Sequence, residues 1–379
     1  MPDTLRLRQQ AVLAELGRID AFFPLLSVLG NRWAATRPFE GHTVGLHLHL
    51  TTLTATVVRE LSLGGGRWIC SAANPATTDP GVVAFLRDLG VEVYSGSGIE
   101  DGLDATVEAD PTLFADVGFA LGTRLLAAGR RPRAGVEITR SGVTRLRAAG
   151  PLPFPVLNIN DGRLKPAIEN RHGVGEGLWQ SFTALTGCHL AGRRVLVIGY
   201  GAVGAGVAAY ARSGGASVEV VDVDPVRRLI AHYDGFPTPP ARDAVRRAQV
   251  LVTAGGARHS LPMELLREAR TGAVLINAGH GADEIDVDGL ARTAEAIDQV
   301  GPRVVGYQLP GGPKLMVLAG GNPLNIVMNS GSQEPVLLHF AVLGLGLEWL
   351  TRNAPPPGEV ALPPALEATA AEVALSVLG

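Results

Sequence analysis

The sequence predicts an α/β fold in two blocks, the second of them a doubly wound parallel sheet. Three observations carry that prediction. Short apolar runs rich in Val, Ile and Leu alternate with helix-like segments, and parallel strands need crossovers of that length. A glycine-rich turn, 199–204, stands between one such run and a helix. The 379 residues are 46% hydrophobic against 18% charged, which suits a sizeable core and excludes a disordered chain.

The N-terminal block opens on MPDTLRLRQQAVLAEL (1–16), an amphipathic polar stretch without the apolar centre of a signal peptide. HTVGLHLHL (42–50) is a predicted strand, TATVVREL (54–61) a helix, and RWICSAAN (67–74) a strand that ends in the polar turn PATTDP. GVVAFLRDLG (81–90) follows as a helix and VEVYSG (91–96) as a strand. PLPFPVLNIND (151–161) reads as a proline-rich join. In the second block VLVIGYG (195–201) is a buried parallel strand and AVGAGVAAYARSGG (202–215) a helix. VEVVDVD (218–224), QVLVTAGG (249–256) and AVLINAG (273–279) supply three more strands. EPVLLHFAVLGLGLEWL (334–350) is expected as a helix packed on both sides. From Ala354 onward the chain reads as a proline-broken link and a short amphipathic helix suited to packing on another subunit. There is no internal repeat.

Charge narrows the function. Lys+Arg is 33 and Asp+Glu is 36, a net charge of -3, so no basic stripe supports nucleic-acid binding. The only lysines are Lys165 and Lys314. Cys70 and Cys188 form no disulfide framework and read as buried thiols. No run reaches the ~20 apolar residues of a membrane span. The expectation is a soluble cytoplasmic enzyme with neither a membrane nor a nucleic-acid partner.

Gly199-Tyr-Gly201-Ala202-Val203-Gly204 has the spacing of a Rossmann-type dinucleotide fingerprint. Gly199 allows the tight turn, Gly201 lets the backbone approach a pyrophosphate, and Gly204 permits close helix–strand contact. Ala202 and Val203 open the helix whose free N–H groups and dipole favour phosphate. Asp222 ends the next strand, where a carboxylate holds both ribose hydroxyls and repels a 2′-phosphate. NAD is therefore the expected cofactor rather than NADP, with Arg227 close enough in sequence to weigh the other way.

The segment NINDGRLKPAIEN (158–170) resembles the NVND…K…DN segment of the S-adenosylhomocysteine hydrolase (adenosylhomocysteinase) family. In the same order, LHLHLTTLTATVVREL (46–61) is similar to its LHMTxxTAxLIETL and AANPATTD (72–79) to its CNPxSTQDD. GYGAVGAG (199–206) is similar to its GYGDVGKG, VDVDP (221–225) to its (T/S)EIDP, and INAGHGADEID (276–286) to its CNIGHFDxEID. The resemblance spans most of the chain. It identifies a shortened, divergent member, with a Rossmann-type doubly wound NAD domain inserted in a second α/β substrate domain. The implied borders are 1–172 for the substrate domain, 173–326 for the NAD domain, 327–354 for the return to the substrate domain, and 355–379 for a C-terminal tail.

In that family bound NAD oxidises the ribose 3′-hydroxyl, proton loss expels the 5′ thiol, water adds, and the ketone is reduced again. By resemblance Lys165 is the lysine near the oxidised hydroxyl, placed to accept or relay its proton. Glu169 stands where the family has an aspartate, and Asn170 matches its asparagine. His49 and Thr51 match residues at the reacting end of the substrate, His280 a histidine of the cofactor domain, and Asn325 an asparagine at the nicotinamide end. Asn74 falls in the second substrate-side motif, and Ala278 and Gly279 in the last cofactor-side one. His47 and His49 share a strand face, but no third ligand accompanies them and no metal is expected. His42, His172, His189, His232, His259 and His339 read as structural or exposed.

Several departures fall on the substrate side. Leu53 occupies the position of an acid or amide that reads the adenine edge. EITRSG (137–142) replaces the family's DDGGD, leaving Glu137 as a stand-in carboxylate and adding Arg140, which suits an anionic substrate group. The SEETTTG segment has no counterpart between Leu146 and Pro155, nor the GHPSF loop between Ile326 and Val327. Gly281 replaces an aromatic, and the sequence ends at Gly379 without the Lys/Tyr-bearing tail that reaches a neighbouring subunit. The expected protein is a homo-oligomer, dimer or tetramer. It is expected to work by oxidation and elimination or addition on a nucleoside-like substrate altered from S-adenosylhomocysteine. A NAD-dependent dehydrogenase or epimerase and a noncatalytic NAD-binding paralogue stay open as alternatives.

Overall fold

The computed structural model describes residues 2–96, 98–279, 281–328 and 330–379. The chain forms two compact units, one of Met1–Lys165 with Gln333–Gly379 and the other of Pro166–Ser332. The strands in chain order are β1 Thr43–Leu48, β2 Arg67–Ala72, β3 Glu92–Tyr94, β4 Leu113–Asp116, β5 Ala134–Glu137, β6 Pro155–Asn158 and β7 Arg194–Ile198. They continue with β8 Ser217–Val221, β9 Val250–Thr253, β10 Ala273–Asn277, β11 Ala296–Gly301, β12 Val304–Gln308, β13 Lys314–Leu318 and β14 Gly358–Ala361.

The first unit has one all-parallel sheet in the order β14-β6-β5-β4-β1-β2-β3. The strand order reverses between β1 and β4, so loops diverge at the C-terminal ends of those strands and leave room for a ligand. Residues 98–150, for which the sequence predicts no element, hold β4 and β5 with helices Ile99–Glu108, Ala120–Ala127 and Arg140–Ala148. The proline-rich join contains β6: Pro155 is its first residue, where a missing N–H is tolerated, and Val156 and Leu157 are fully buried.

The last residues are not a free tail. Gly358–Ala361 pairs in parallel with β6, and helix Pro364–Leu378 packs on helices Leu25–Thr36 and Glu334–Arg352. Helix Glu334–Arg352 is apolar almost all round, as a buried helix must be. It is long and apolar enough to match a membrane span, yet 78% of its most apolar window is buried inside the protein. It packs on β4, β5 and two N-terminal helices, with the Trp33 ring pressed against Gly344.

The second unit has a sheet in the order β11-β12-β13-β10-β9-β7-β8, parallel from β13 to β8 and antiparallel across β11, β12 and β13. Alternation along β7 sends Val195 and Val197 into one apolar cluster and Leu196 and Ile198 into the other, so both faces are covered. Residues 166–172 and 327–332 belong to this unit rather than to the first. Contact explains it: a Cβ on Gly206 would lie 1.9 Å from the Arg171 carbonyl oxygen, and one on Gly177 2.5 Å from that of Ser330.

Candidate active site

In the first unit the expected substrate-side residues gather at the C-terminal ends of the strands. His47, near the end of β1, is buried with Nδ1 3.0 Å from Ser71 Oγ on β2. Burial, and then the charge of His49, lowers its pKa to about 4, so it is neutral at neutral pH. His49 is half-buried, with Nδ1 2.8 Å from Thr77 Oγ1. Asn74 builds the turn that presents Thr77: its Oδ1 accepts from Ala76 N at 2.9 Å, and its carbonyl accepts from the Thr77 and Thr78 hydroxyls at 3.0 Å each. Thr51 caps helix Thr52–Ser62 without a side-chain bond to it.

Two carboxyls stand side by side at the ends of β4 and β5, which align Asp116 with Glu137. Both are fully buried. Asp116 Oδ2 accepts from Gly122 N at 2.8 Å, while Oδ1 has no hydrogen-bond partner among the described residues. Burial, and then Glu137, pushes the Asp116 carboxyl well above the ordinary carboxylate range. Glu137 accepts from Phe119 N at 2.8 Å, Thr139 N at 2.7 Å and the Thr139 hydroxyl at 2.6 Å. Its oxygens tie together the loops that follow β4 and β5. Asp116 is the acid that sequence reasoning missed, though the apolar run LFAD followed by Val-Gly carries the signal of a strand end. Arg140 is exposed in the first turn of helix Arg140–Ala148.

The loop after β6 carries Lys165 and is tied down by the C-terminal segment. Asn158 Nδ2 donates to Glu359 Oε1 on β14 at 2.7 Å, and Leu164 N donates to Glu367 Oε1 at 2.8 Å. Lys165 is itself buried, its Nζ donating to the Ile138 carbonyl at 2.6 Å and lying 3.3 Å from His339 Nε2. Glu169 and Asn170 follow in the second unit, half-buried on a wide i→i+5 helix, Lys165–Gly173, of the kind that often marks functional segments. His339, set aside in the sequence as structural or exposed, is buried beside the lysine. Cys70 is fully buried and its thiol is pushed up to about 12 by burial; Cys188 is half-buried rather than buried.

The cofactor-side residues cluster at the switch point of the second sheet, where β7 and β9 part. Gly199 has φ +102, and a Cβ there would sit 2.6 Å from the Ala254 carbonyl oxygen; one on Gly204 would sit 1.9 Å from that of Gly199. Gly201 precedes helix Ala202–Ser213, whose first turn offers Ala202 and Val203 without a side-chain cap. The Asp222 carboxylate is fixed by Tyr200 N at 2.6 Å and Asp224 N at 2.9 Å. Arg227 Nη1 lies 4.0 Å from Asp222 Oδ2 and is the neighbour a Cβ on Gly201 would meet, at 3.6 Å. At the end of β10, Gly279 N donates to Asn277 Oδ1 at 2.7 Å and Ala278 is buried. Asn325 is half-buried on helix Leu324–Met328, and His280 lies outside the described residues.

This half fits a dinucleotide. Close backbone contacts require glycine at 199 and 204, Gly201 leaves the helix N-terminus without a side-chain cap, and a carboxylate held by two backbone N–H groups stands at the end of the adjacent strand. The second unit is thus a Rossmann-type NAD-binding domain. The family described as "S-adenosyl-L-homocysteine hydrolase, NAD binding domain" matches residues 170–331. An adenosylhomocysteinase of Pyrobaculum aerophilum is 32% identical over 408 residues, covering 99% of this chain and 92% of that one. An S-inosyl-L-homocysteine hydrolase of Methanopyrus kandleri is 33% identical, covering 94% of this chain and 88% of its own length. Among solved structures, a dipicolinate synthase chain of Bacillus halodurans shares the fold at TM-score 0.52 and 14% identity, over 83% of this chain and 100% of that one. The chain belongs to the adenosylhomocysteinase family, and its cofactor is NAD.

Proposed function

We propose that this protein cleaves or forms a thioether on a nucleoside-like substrate by transient oxidation of a sugar hydroxyl. The observation that carries the reading is Lys165: one of two lysines in the chain, buried, and held by Ile138 at the position that corresponds to the family lysine. NAD, when bound, supplies a hydride acceptor that becomes a donor again, so no net redox change remains. Lys165 takes the proton of the sugar hydroxyl and returns it when the alcohol is restored. His49, oriented by Thr77, is the candidate for moving protons at the leaving-group end as the thiol departs and water adds. Glu169 and Asn170 hold the sugar and Thr51 is a further candidate contact to the substrate; Asp222 holds the cofactor ribose.

The base of the substrate is where this chain departs. Relatives at 32% and 33% identity are named for adenosyl and for inosyl substrates, so overall similarity does not select the base. Leu53 offers no polar contact to an adenine edge, and Arg140 is our candidate contact for an anionic group. The test incubates the purified protein with S-adenosyl-L-homocysteine, S-inosyl-L-homocysteine and their phosphorylated analogues, with products read by mass spectrometry. Free homocysteine with no accumulation of NADH supports the reading; stoichiometric NADH favours a dehydrogenase. Lys165→Ala should lower cofactor reduction by at least ~100-fold, and unchanged reduction removes the lysine from its role.

A further inference from the structure

His339 is the buried polar residue in the first half of the helix Glu334–Arg352, flanked by Leu337, Leu338, Phe340 and Ala341. An imidazole in such surroundings costs stability unless it is hydrogen-bonded. Its neighbours are the Lys165 amine, 3.3 Å from Nε2, and the Ile138 carbonyl, which bonds to both side chains. The three groups come from separate parts of the first unit: the loop after β5, the loop after β6, and helix Glu334–Arg352. We infer that His339 is a positioning residue for Lys165, its ring fixing the amine from the helix side while the Ile138 carbonyl fixes it from the strand side. The inference rests on the assignment of Lys165 to the hydroxyl proton.

Chemistry supports the pairing. The N–H groups of the Lys165 nitrogen are donors, so contact with an imidazole nitrogen requires a lone pair there, and the neutral amine keeps its own lone pair for the hydroxyl proton. Burial, and then the charge of Lys165, holds the His339 pKa well below its ordinary value, so the ring is neutral and retains that lone pair at neutral pH. A long, flexible lysine side chain has many rotamers to lose. Two fixed contacts confine it to one, and a base displaced by about 1 Å can lose on the order of 100-fold in rate. A leucine would serve the packing equally well but would remove the contact that the ring makes with the amine.

The test compares His339→Leu, His339→Gln and Lys165→Ala in the NAD-loaded protein, with reduction of the nicotinamide followed on adding adenosine or inosine. His339→Leu should slow reduction by about 10- to 100-fold with KM changed by less than roughly threefold, and His339→Gln should recover most of the rate. A second readout does not depend on turnover. The chain has two lysines, so protein labelled with 13C at lysine Cε gives two lysine signals, and Lys314 is the internal reference. In His339→Leu the Lys165 signal should move while that of Lys314 stays. Equal losses in the Leu and Gln variants, an unchanged rate in His339→Leu, or an unmoved Lys165 signal would each overturn the inference. If Lys165→Ala keeps the rate, the functional reading falls and this inference with it. If it abolishes the rate while His339→Leu does not, only this inference falls. Where neither nucleoside reduces the nicotinamide, the carbon signals decide alone.

Discussion

His47 and His49 are two residues apart and have different jobs. The pleat of β1 places His47 inside, on Ser71, while the chain leaves the strand before His49 and turns it toward Thr77. The sequence shows both as one spaced pair, and only the end of the strand separates them. His47 also gives a pH dependence whose sign is fixed. Its native pKa is about 4 against an ordinary 6.5, so between those values the unfolded chain binds the extra proton. Its stabilising share is complete above pH 6.5 and is lost as pH falls to about 4, a change of roughly 3 kcal/mol. His47→Asn should flatten the melting temperature against pH across that window. An equally steep acid limb in the variant would show that other groups carry it.

At the scale of elements, close backbone approach does what side-chain contact does elsewhere. Gly206 lets helix Ala202–Ser213 meet the segment that carries Glu169 and Asn170, since a Cβ would lie 1.9 Å from the Arg171 carbonyl oxygen. Gly206→Ala should therefore cost about 1–3 kcal/mol by denaturant titration and weaken NAD binding. Gly17→Ala, in helix Pro2–Phe22 with nothing within 4 Å of the new Cβ, should instead stabilise by up to about 1 kcal/mol. Elements with strong local punctuation are legible in the sequence: β1 and β2 end in polar turns, and β7 ends in the glycine turn. β4, β5 and β6 are four residues each and buried throughout, too short for any periodicity to show, and β6 hides behind prolines. β11 is exposed along its length and lacks the apolar run that marks the parallel strands. The same logic applies to the site. Lys165 and the cofactor glycines stand in motifs, whereas Asp116 and His339 reach the site only through sheet order and helix packing, which no local pattern encodes.

On the scale of the whole molecule, the two units differ in how their chains are assembled. Pro166–Ser332 is one continuous segment that holds all seven strands of its sheet and an apolar cluster on each face. Met1–Lys165 is not self-sufficient. Its sheet takes β14 from the C-terminal segment, its core takes helix Glu334–Arg352, and the Lys165 loop takes Glu359 and Glu367. Residues 166–332 expressed alone should melt cooperatively and bind NAD, whereas 1–165 alone should stay unfolded, with β6 an open edge and the buried face of the helix missing. Joining 1–165 to 333–379 through a short glycine linker should restore a cooperative transition without NAD binding. Circular dichroism melts with and without NAD decide it, because a ligand that binds only the folded state raises the midpoint of the unit that holds it. An NAD-dependent shift in the rejoined first unit, or none in 166–332, would show that the cofactor site is not contained in the continuous segment.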